Sequence, residues 1–367
     1  MAPYGQSMKP ASHEVRILFV GETWNGSSAR SMREALSRCE GVEIDDVGED
    51  LYFPQYRSIQ LRAINRAIRS FQRKELEIAV QSKLESLEPD VLMVYKGNGV
   101  SSDFIEKTKK RGVLTVNVFP DYSPHVYGAG LRMAMGSYDL VISTKAYHPD
   151  AWCKTYGYTN RCVCVPHGYD PAVHLWDEPP REQPFDVVLA ATWREEYDEL
   201  LRGFARVTSN LSLRVVVVGS GWTTQRSSFP EDWEFLGPIV GRSYTKFLRQ
   251  GKIAIAPVTT RVVIAGRHQP GDEDTTRTYE LAAAYCFFLH KRTPFARTVY
   301  DEGREVPMWD DSEELASLVM HYLPRDSERR VFAAAAHARA VPDYSIPSRA
   351  LQVLEHVRQA RNGRLTP

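Results

Sequence analysis

The sequence lacks the features that anchor a chain in a membrane or direct it out of the cell. None of its apolar runs approaches the roughly 18 residues that a membrane-spanning helix needs. Its first residues, MAPYGQSMKPASHE, contain no apolar core of a secretory signal. We therefore expect a cytoplasmic protein with a flexible leader over residues 1–12. A peripheral contact with a membrane surface stays open, because a basic helix face can supply it.

An excess of one charge and a pattern of paired cysteines are also lacking. Lys and Arg together number 46, as do Asp and Glu, so the formal net charge is zero. This balance gives no general attraction to nucleic acid, and no nucleic-acid partner is expected. The five cysteines are odd in number, and the Cys162-x-Cys164 pair lacks the spacing of a zinc knuckle. Free thiols in a reducing compartment are the expectation.

The length and the periodicity of the chain indicate two α/β domains. Its 367 residues exceed the roughly 250–300 at which single cores stop growing. Short apolar strands alternate with helices in both halves, which is the order that builds parallel sheets. Residues 171–184 contain four prolines and almost no apolar periodicity, so we predict an interdomain linker there. The predicted organisation is a Rossmann-like domain over 13–170, the linker, a second such domain over 185–344, and a C-terminal helix over 345–367 that packs back on the first domain.

Individual elements follow from the same patterns. From residue 57 to residue 88 there is no glycine or proline, and Leu61, Ile64, Ile68 and Phe71 recur at helical spacing. This segment is predicted to form one long helix. The other predicted helices are 29–39, 195–207, 244–249, 276–285 and 345–361. The predicted strands are 15–20, 42–47, 91–95, 114–119, 140–143, 162–165, 185–191, 213–218, 253–256 and 286–290.

A polar loop that runs into a helix is the most informative stretch of the sequence. Residues 271–290 read GDEDTTRTYELAAAYCFFLH. Thr275, Thr276 and Arg277 stand at the predicted helix start, where free backbone N–H groups and the helix dipole attract anions. Arg277 offers two parallel donors to phosphate oxygens, and Glu280, one turn later, can accept hydrogen bonds from a ribose. The alternative is a capped surface helix with an Arg277–Glu280 pair.

A series of motifs extends this pattern along nearly the whole chain. In the C-terminal half, Thr-x-Arg-x-Tyr-Glu-Leu-Ala-Ala-Ala is followed by an apolar strand, by Asp301-Glu302-Gly303 and by residues 308–315, MWDDSEEL. In the N-terminal half stand VFPD at 118–121, YDLVIS at 138–143 and VPHGYD at 165–170. In order and spacing these motifs resemble the CgeB-like glycosyltransferases, which are related to family 4 of the GT-B superfamily. The resemblance implies two Rossmann-like domains whose parallel sheets face across a cleft.

The resemblance also implies roles for residues of the second domain. Family 4 enzymes carry a Glu near the sugar and, eight positions later, a Glu near the ribose of the nucleotide. Glu280 matches the second position, and Asp272 occupies the first, where the shorter carboxylate leaves the stereochemistry open. Arg194, after the first strand of this domain, is an implied contact of the diphosphate. Gly237 and Tyr244 are implied to border the base, with Gly237 allowing a close backbone approach.

The first domain supplies candidates for the acceptor side. Gly21 ends the first strand, and a small residue there lets the following loop approach a diphosphate or an acceptor. Asp121 and His125 follow another strand and are acid–base candidates, because an inverting enzyme needs a base for the acceptor hydroxyl. In a retaining enzyme Asp121 would position the acceptor. Two purely structural alternatives stay open. His125 can be an ordinary loop residue beside Pro124, and Arg194 can form an ion pair with Asp198.

The predicted function is transfer of a hexosyl or related sugar from a nucleoside diphosphate sugar to an acceptor hydroxyl. UDP-, GDP- and dTDP-sugars are the candidate donors, and the oligomeric state is open. The consecutive acidic residues 272–274 make a poor magnesium site, so neither a metal nor another cofactor is expected to be required. A non-catalytic binding or assembly protein, which the Asp272 departure favours, is one alternative. A nucleotide-sugar epimerase or hydrolase is the other.

Overall fold

The computed structural model of the chain describes residues 15–54, 59–264 and 266–365. The predicted leader over residues 1–12 lies outside the described residues. The chain forms two compact units. Unit 1 contains the chain up to Thr144, then His148–Cys164 and the residues from Ala350 onward, whereas unit 2 contains Lys145–Tyr147 and Val165–Arg349. The chain therefore passes between the units more than once.

Unit 1 is built around a sheet of six parallel strands. They are β1 (Val15–Gly21), β2 (Val42–Gly48), β3 (Val91–Tyr95), β4 (Leu114–Phe119), β5 (Leu140–Ser143) and β6 (Arg161–Cys164). Their order across the sheet is β2-β1-β3-β4-β5-β6, and β1 pairs with both β2 and β3. All residues of β3, β4 and β5 are buried, as expected where helices cover both faces of a parallel sheet.

The helices of unit 1 differ from the prediction in one place. They are α1 (Ser28–Leu36), α2 (Ile59–Ala67), α3 (Arg69–Leu87), α4 (Ser102–Lys110), α5 (Ala129–Met135) and α6 (His148–Lys154). The single helix predicted over 57–88 is wrong, because the chain breaks at Ile68, whose ψ of 5° is not helical. After the break, α3 buries a row of side chains four residues apart, whereas the predicted apolar residues Ile64, Ile68 and Phe71 are exposed. The buried row is Gln72, Leu76, Val80 and Leu84.

Unit 2 repeats the same architecture. Its strands are β7 (Phe185–Ala190), β8 (Val215–Val218), β9 (Glu234–Leu236), β10 (Gly251–Ala256), β11 (Val262–Ile264), β12 (Arg267–Gln269), β13 (Phe288–Lys291) and β14 (Met308–Trp309). The main sheet has six parallel strands in the order β14-β13-β10-β7-β8-β9, and β11 and β12 form a separate hairpin. Successive residues of β7 point to opposite faces of the sheet, and Val188 and Leu189 belong to two different apolar clusters. Helices therefore cover both faces of this sheet as well.

The helices of unit 2 complete these two layers. They are α7 (Pro171–His174), α8 (Glu195–Val207), α9 (Arg242–Leu248), α10 (Thr276–Ala283), α11 (Ala296–Val299), α12 (Ser312–Tyr322) and α13 (Asp326–Ala340). The last helix, α14 (Ile346–Leu365), begins in unit 2 and continues in unit 1. Within unit 1, Arg361 of α14 contacts Asp90 at 3.0 Å. In the described part of the chain, no helix is long and apolar enough to cross a bilayer.

Residues 171–184, where the sequence predicts a linker, belong to unit 2. The side chain of Asp170 caps α7, and Arg242 donates hydrogen bonds to the carbonyl oxygens of Val173 and Leu175. The ring of Trp176 lies close to the guanidinium groups of Arg242 and Arg249, at 4.1 and 4.2 Å. These contacts fasten a proline-rich segment to the domain that follows it. The chain passes from unit 1 to unit 2 before this segment, between Cys164 and Val165.

The architecture confirms the predicted fold class. Two sheets of six parallel strands, each covered by helices, are the two Rossmann-like domains of a GT-B fold. The carboxyl ends of the strands in such sheets are where ligands bind. The functional residues are therefore expected at the strand ends of each unit.

Candidate functional site

The loop before α10 is held at the carboxyl ends of two neighbouring strands of unit 2. Asp272 donates its backbone N–H to the carbonyl of Thr259, beyond β10, at 2.7 Å. Thr293, beyond β13, donates its hydroxyl to the carbonyl of Glu273 at 2.6 Å. Tyr279 of α10 donates to the carboxylate of Asp274 at 2.7 Å. The start of α10 is thereby fixed at the ligand-binding edge of the sheet.

A buried histidine supports the first turn of α10. Thr278 accepts the backbone N–H of Thr275 at 3.0 Å and contacts His290 Nε2 at 2.8 Å. His290 Nδ1 faces the carbonyl of Lys291 at 2.6 Å, so Nδ1 carries the proton and Nε2 accepts from the Thr278 hydroxyl. Burial, aided by the positive charge of Arg277, lowers the pKa of His290 to about 4. The ring is therefore neutral at physiological pH and fixes the geometry of the helix tip.

The side chains at the helix tip keep part of their surface open. Thr275, Thr276 and Arg277 are all half-buried rather than sealed. Arg277 donates from Nη2 to the carbonyl of Pro257, at the end of β10, at 3.2 Å. Its Nε is buried and has no hydrogen-bond partner among the described residues. A guanidinium that is anchored at one end and retains a donor beside a helix start has the chemistry of a phosphate contact.

Two predicted nucleotide residues from distant parts of the sequence meet in unit 2. Tyr244 of α9 donates its hydroxyl to Glu280 Oε2 at 2.8 Å. Burial and the neighbouring Glu280 charge hold the pKa of Tyr244 well above its usual value, so the phenol keeps its proton. The pair offers a buried carboxylate and a hydroxyl within one turn of the helix tip.

His174 contacts this pair and was not predicted from the sequence. Its Nδ1 accepts the backbone N–H of Asp170 at 3.0 Å, which leaves the proton on Nε2. Nε2 lies 3.5 Å from Glu280 Oε1. His174 lies in the segment predicted as a linker. A residue of a linker is not expected to contact a ligand site unless the linker packs against the domain that carries the site.

Asp272 belongs to a buried ion-pair cluster around Lys145. The lysine side chain is 2% exposed, and its Nζ lies 2.7 Å from Asp272 Oδ1 and 3.6 Å from Asp274 Oδ1. The same Nζ contacts the Asp274 carbonyl at 3.1 Å and His167 Nε2 at 3.2 Å. Burial raises the pKa of Asp274, and the charge of Lys145 opposes that rise. Asp272, predicted as the sugar-side carboxylate, is thus held in place by a lysine that the sequence analysis missed.

The remaining predicted residues of unit 2 lie at its surface. Arg194 precedes α8 and is exposed, whereas Asp198, its alternative partner, is bound by Arg202 and Trp193. Gly237 is also exposed, and no atom within 4 Å would meet a side chain added there. The structure thus brings Asp272, Thr275, Thr276, Arg277, Glu280 and Tyr244 into one region, whereas Arg194 and Gly237 are exposed at the surface of unit 2.

Close packing after β8 requires a glycine at one position. A Cβ at Gly219 would lie 1.9 Å from the carbonyl oxygen of Ala191, and its φ of +149° also favours glycine. The turn brings the strand ends of β7 and β8 together, with Trp193 N–H donating to Ser220 at 2.8 Å. This is a structural role for the turn that ends β8.

In unit 1, Asp121 is the centre of a polar cluster at the strand ends. Lys96 Nζ lies 3.2 Å from Asp121 Oδ2, and Tyr127 donates its hydroxyl to the same oxygen at 2.6 Å. The Lys96 ammonium also lies 4.6 Å from the centre of the Tyr127 ring. Lys96 has a φ of +64°, an unfavourable conformation for a residue with a side chain. The sequence pattern did not reveal this conformation, and Lys96 was missed.

His125 points into an aromatic cluster and not toward Asp121. Its ring packs against Tyr156 and Tyr158, with centroids 5.2 and 6.5 Å away. Its Nε2 is buried without a hydrogen-bond partner among the described residues. Burial lowers the pKa of His125, so the neutral form is favoured. The structure does not bring the two acid–base candidates together.

The close packing of neighbouring side chains requires a glycine at position 21. A Cβ at this position would lie 2.8 Å from the Phe19 ring, 3.1 Å from Ala29 and 3.2 Å from Tyr95. The close approach is therefore to side chains of unit 1. In the described ranges, no group of three or more His, Cys, Asp or Glu side chains is arranged to hold a metal ion.

Comparisons with known proteins support the function that the fold suggests. Residues 194–355 match the family model described as "Glycosyl transferase-like". That segment contains α10 and its tip, Glu280 and Tyr244. No curated protein sequence matches the chain significantly. The similarity to glycosyl transferases therefore lies in the part of the chain that carries most of the candidate site.

Solved structures share the fold at low sequence identity. Sucrose-phosphate synthase from Thermosynechococcus elongatus is similar with a TM-score of 0.66 and 12% identity, over 94% of this chain and 99% of that one. HepE from Anabaena, in complex with UDP-glucose, has a TM-score of 0.62 and 11% identity, over 94% and 100%. A putative UDP-N-acetylglucosamine 2-epimerase from Listeria monocytogenes has a TM-score of 0.57 and 11% identity, over 94% and 96%. The fold is therefore shared by a protein described as a synthase, by a protein crystallised with UDP-glucose and by a protein described as an epimerase.

Proposed function

We propose that this protein transfers a sugar from a nucleoside diphosphate sugar, held by unit 2, to the hydroxyl of an acceptor. The observation that carries the proposal is the half-open tip of α10. There Arg277 retains a donor, and Glu280 with Tyr244 lies one turn further on. The motifs that resemble CgeB-like enzymes favour that subfamily within the glycosyltransferases.

The diphosphate is proposed to bind at the tip of α10. Backbone N–H groups at a helix start and a guanidinium fork both favour doubly charged phosphates. When the bond between the sugar and the phosphate breaks, negative charge grows on the departing diphosphate. Donors fixed in advance at that point stabilise the transition state more than the ground state. Arg277, anchored on Pro257, is the residue assigned to this task, and Arg194 is the second candidate.

The ribose is proposed to bind at Glu280. A carboxylate can accept hydrogen bonds from both hydroxyls of a ribose, and here Tyr244 and His174 hold that carboxylate in position. HepE has been crystallised with UDP-glucose, which makes UDP-glucose the first donor to test. GDP- and dTDP-sugars are the other candidates, and transfer of a hexosyl group is the form of the reaction proposed.

The sugar is proposed to lie beside Asp272. The Lys145 ammonium binds Asp272 Oδ1. Oδ2 of the same carboxylate is then available for a sugar hydroxyl. Lys145 acts in this proposal as a positioning residue. Lys145 supplies a positive charge to Asp272 and Asp274, so we propose a reaction that needs no metal ion.

The acceptor is proposed to contact Asp121. Lys96 and Tyr127 both bind its Oδ2, which holds the carboxylate rigidly as an acceptor for a hydroxyl group. His125 remains the second candidate of unit 1, although its ring lies among tyrosines. Gly21 contributes through the shape of the loop that follows β1.

A product analysis tests the proposal against its alternatives. The purified chain is incubated with UDP-, GDP- and dTDP-sugars, with and without a panel of hydroxyl acceptors, in the presence of a chelator. A new glycoside that forms only with an acceptor supports the transferase. Release of free sugar or of an epimer without any acceptor supports the hydrolase or epimerase that the shared fold allows. Binding without turnover of any donor supports a non-catalytic protein and overturns the proposal.

A further inference from the structure

Helix α2 and the first turn of α3 expose an unusual set of apolar side chains. Exposed fractions are 45% for Leu61, 57% for Ile64, 45% for Ile68 and 63% for Phe71. Surface helices of globular proteins normally turn such residues toward the core. In α3 the core is instead contacted by the row that contains Leu76 and Val80. The exposed row therefore makes no contribution to the core of unit 1.

Exposed basic residues accompany the exposed apolar side chains. At 100° per residue, Leu61 and Ile64 of α2 lie within about 60° of each other around the helix, and Ile68 stands at the break that follows α2. Arg66 lies on the opposite side of α2 from Ile64, and Arg69, which is also exposed, begins α3. A helix with one apolar side and one basic side is typical of segments that lie in the plane of a membrane interface.

The charge of this part of the chain is strongly positive. Residues 51–74 contain six basic residues and no acidic residue, although the whole chain has a formal net charge of zero. The six are Arg57, Arg62, Arg66, Arg69, Arg73 and Lys74. Clusters of four to eight basic residues on an amphipathic helix attract the negative surface of a lipid bilayer.

We propose that this surface docks on an anionic lipid bilayer. The α2 surface is defined as Leu61, Ile64, Ile68 and Phe71 together with Arg66, Arg69 and Lys74. Its apolar side chains enter the boundary between headgroups and acyl chains, and its basic side chains contact lipid phosphates. The proposal rests on the exposure and charge of unit 1 and is independent of the nucleotide site in unit 2.

Charge complementarity favours lipid over the other possible occupants. A second copy packed through the same surface brings two strongly positive patches together, which opposes association. Nucleic acid satisfies the basic side chains but offers no site for leucine and isoleucine side chains to bury. An anionic bilayer satisfies both at once, because phosphates lie directly above an apolar layer.

Vesicle binding by the full chain tests the proposal. Co-sedimentation is measured with phosphatidylcholine vesicles and with vesicles that contain about one third phosphatidylglycerol. The wild type is expected to bind the anionic vesicles at least about tenfold better, and added salt weakens the binding. Two double variants, Ile64→Ser with Ile68→Ser and Arg66→Glu with Arg69→Glu, are each expected to lose about tenfold.

Controls separate membrane binding from damage to the fold. Val331→Ser removes an exposed apolar side chain from α13 in unit 2 and is expected to leave vesicle binding unchanged. Thermal unfolding and nucleotide binding of each variant report whether the chain is intact. Three results overturn the proposal: no preference for anionic vesicles, wild-type binding by both double variants, or a lipid-independent dimer that Ile64→Ser with Ile68→Ser abolishes.

Discussion

Removal of Lys145 is predicted to destabilise unit 2. Its ammonium group is almost fully buried and pairs with Asp272 and Asp274, so its loss leaves two carboxylates without a countercharge in a poorly solvated place. Breaking a buried pair by removing one partner typically costs about 3–5 kcal/mol. Lys145→Met is therefore expected to lower the free energy of unfolding by about that amount in urea titration.

A second lysine of unit 2 provides the matched control. Lys252 lies 2.7 Å from Asp186, but its side chain is far more exposed than that of Lys145. Because solvent screens such pairs, Lys252→Met is expected to cost no more than about 1 kcal/mol. Equal losses for the two variants would show that the Lys145 cluster is solvated and that its burial has no energetic consequence.

Glu49 at the end of β2 makes a prediction about pH in unit 1. Its Oε1 accepts the backbone N–H of Gly99 at 2.7 Å, and burial raises its pKa from 4.5 to about 7. Between these values the folded chain binds a proton that the unfolded chain releases, so stability falls as pH rises from 4.5 to about 7. Glu49→Gln keeps the acceptor and removes the titration. It is expected to stabilise the protein by on the order of 2 kcal/mol above pH 7 and hardly at all near pH 4.5.

Chemical unfolding at several pH values checks this expectation. Glu43→Gln, which changes an exposed residue of the preceding strand β2, is the control and is expected to shift stability little at any pH. If Glu49→Gln changed stability equally across the pH range, the carboxyl would not be protonated in the folded protein.

At the scale of elements, the strands were the best predicted part of the molecule. Most predicted strands match within about two residues, because a buried parallel strand is a short continuous apolar run bounded by glycine, proline or polar residues. The prediction of one helix over 57–88 was wrong because the chain breaks at Ile68, and neither apolar spacing nor a glycine or proline marks that break in the sequence. The short elements α7, α11 and β14 carry no such periodicity and depend on tertiary contacts.

The first turn of α10 makes a prediction at the same scale. His290 supports Thr278 only as the neutral ring, and its pKa is lowered from 6.5 to about 4. Between these values the unfolded chain binds a proton that the folded chain excludes, so stability falls as pH falls from 6.5 to about 4. The loss across that window is expected to reach at most about 3 kcal/mol.

His290→Gln isolates this contribution. The variant is expected to be less stable than the wild type near neutral pH, because the contacts to Thr278 and Lys291 change. It is also expected to lose less stability than the wild type on acidification, since glutamine does not titrate. Parallel acid-induced losses in the two proteins would mean that other groups account for the effect.

At the scale of the whole molecule, the sequence predicted the fold and one half of the candidate site. Arg277 and Glu280 were proposed because they stand at a helix start whose chemistry is readable locally, whereas Asp272 was assigned by its spacing in the resemblance to family 4 enzymes. Tyr244 was added by the resemblance to known enzymes. Lys145 and His174 were missed because no local pattern in the sequence indicates their contacts with Asp272 and Glu280, which lie more than a hundred positions away.

Isothermal titration calorimetry with UDP and UDP-glucose tests most directly whether a diphosphate binds at the tip of α10. The wild type is expected to bind, and Arg277→Ala to lose about 10- to 100-fold in affinity, because a charge-assisted contact to phosphate is removed. Arg206→Ala, which removes an exposed arginine of α8, is expected to bind as the wild type does. Wild-type affinity in Arg277→Ala would contradict the account and place the diphosphate elsewhere.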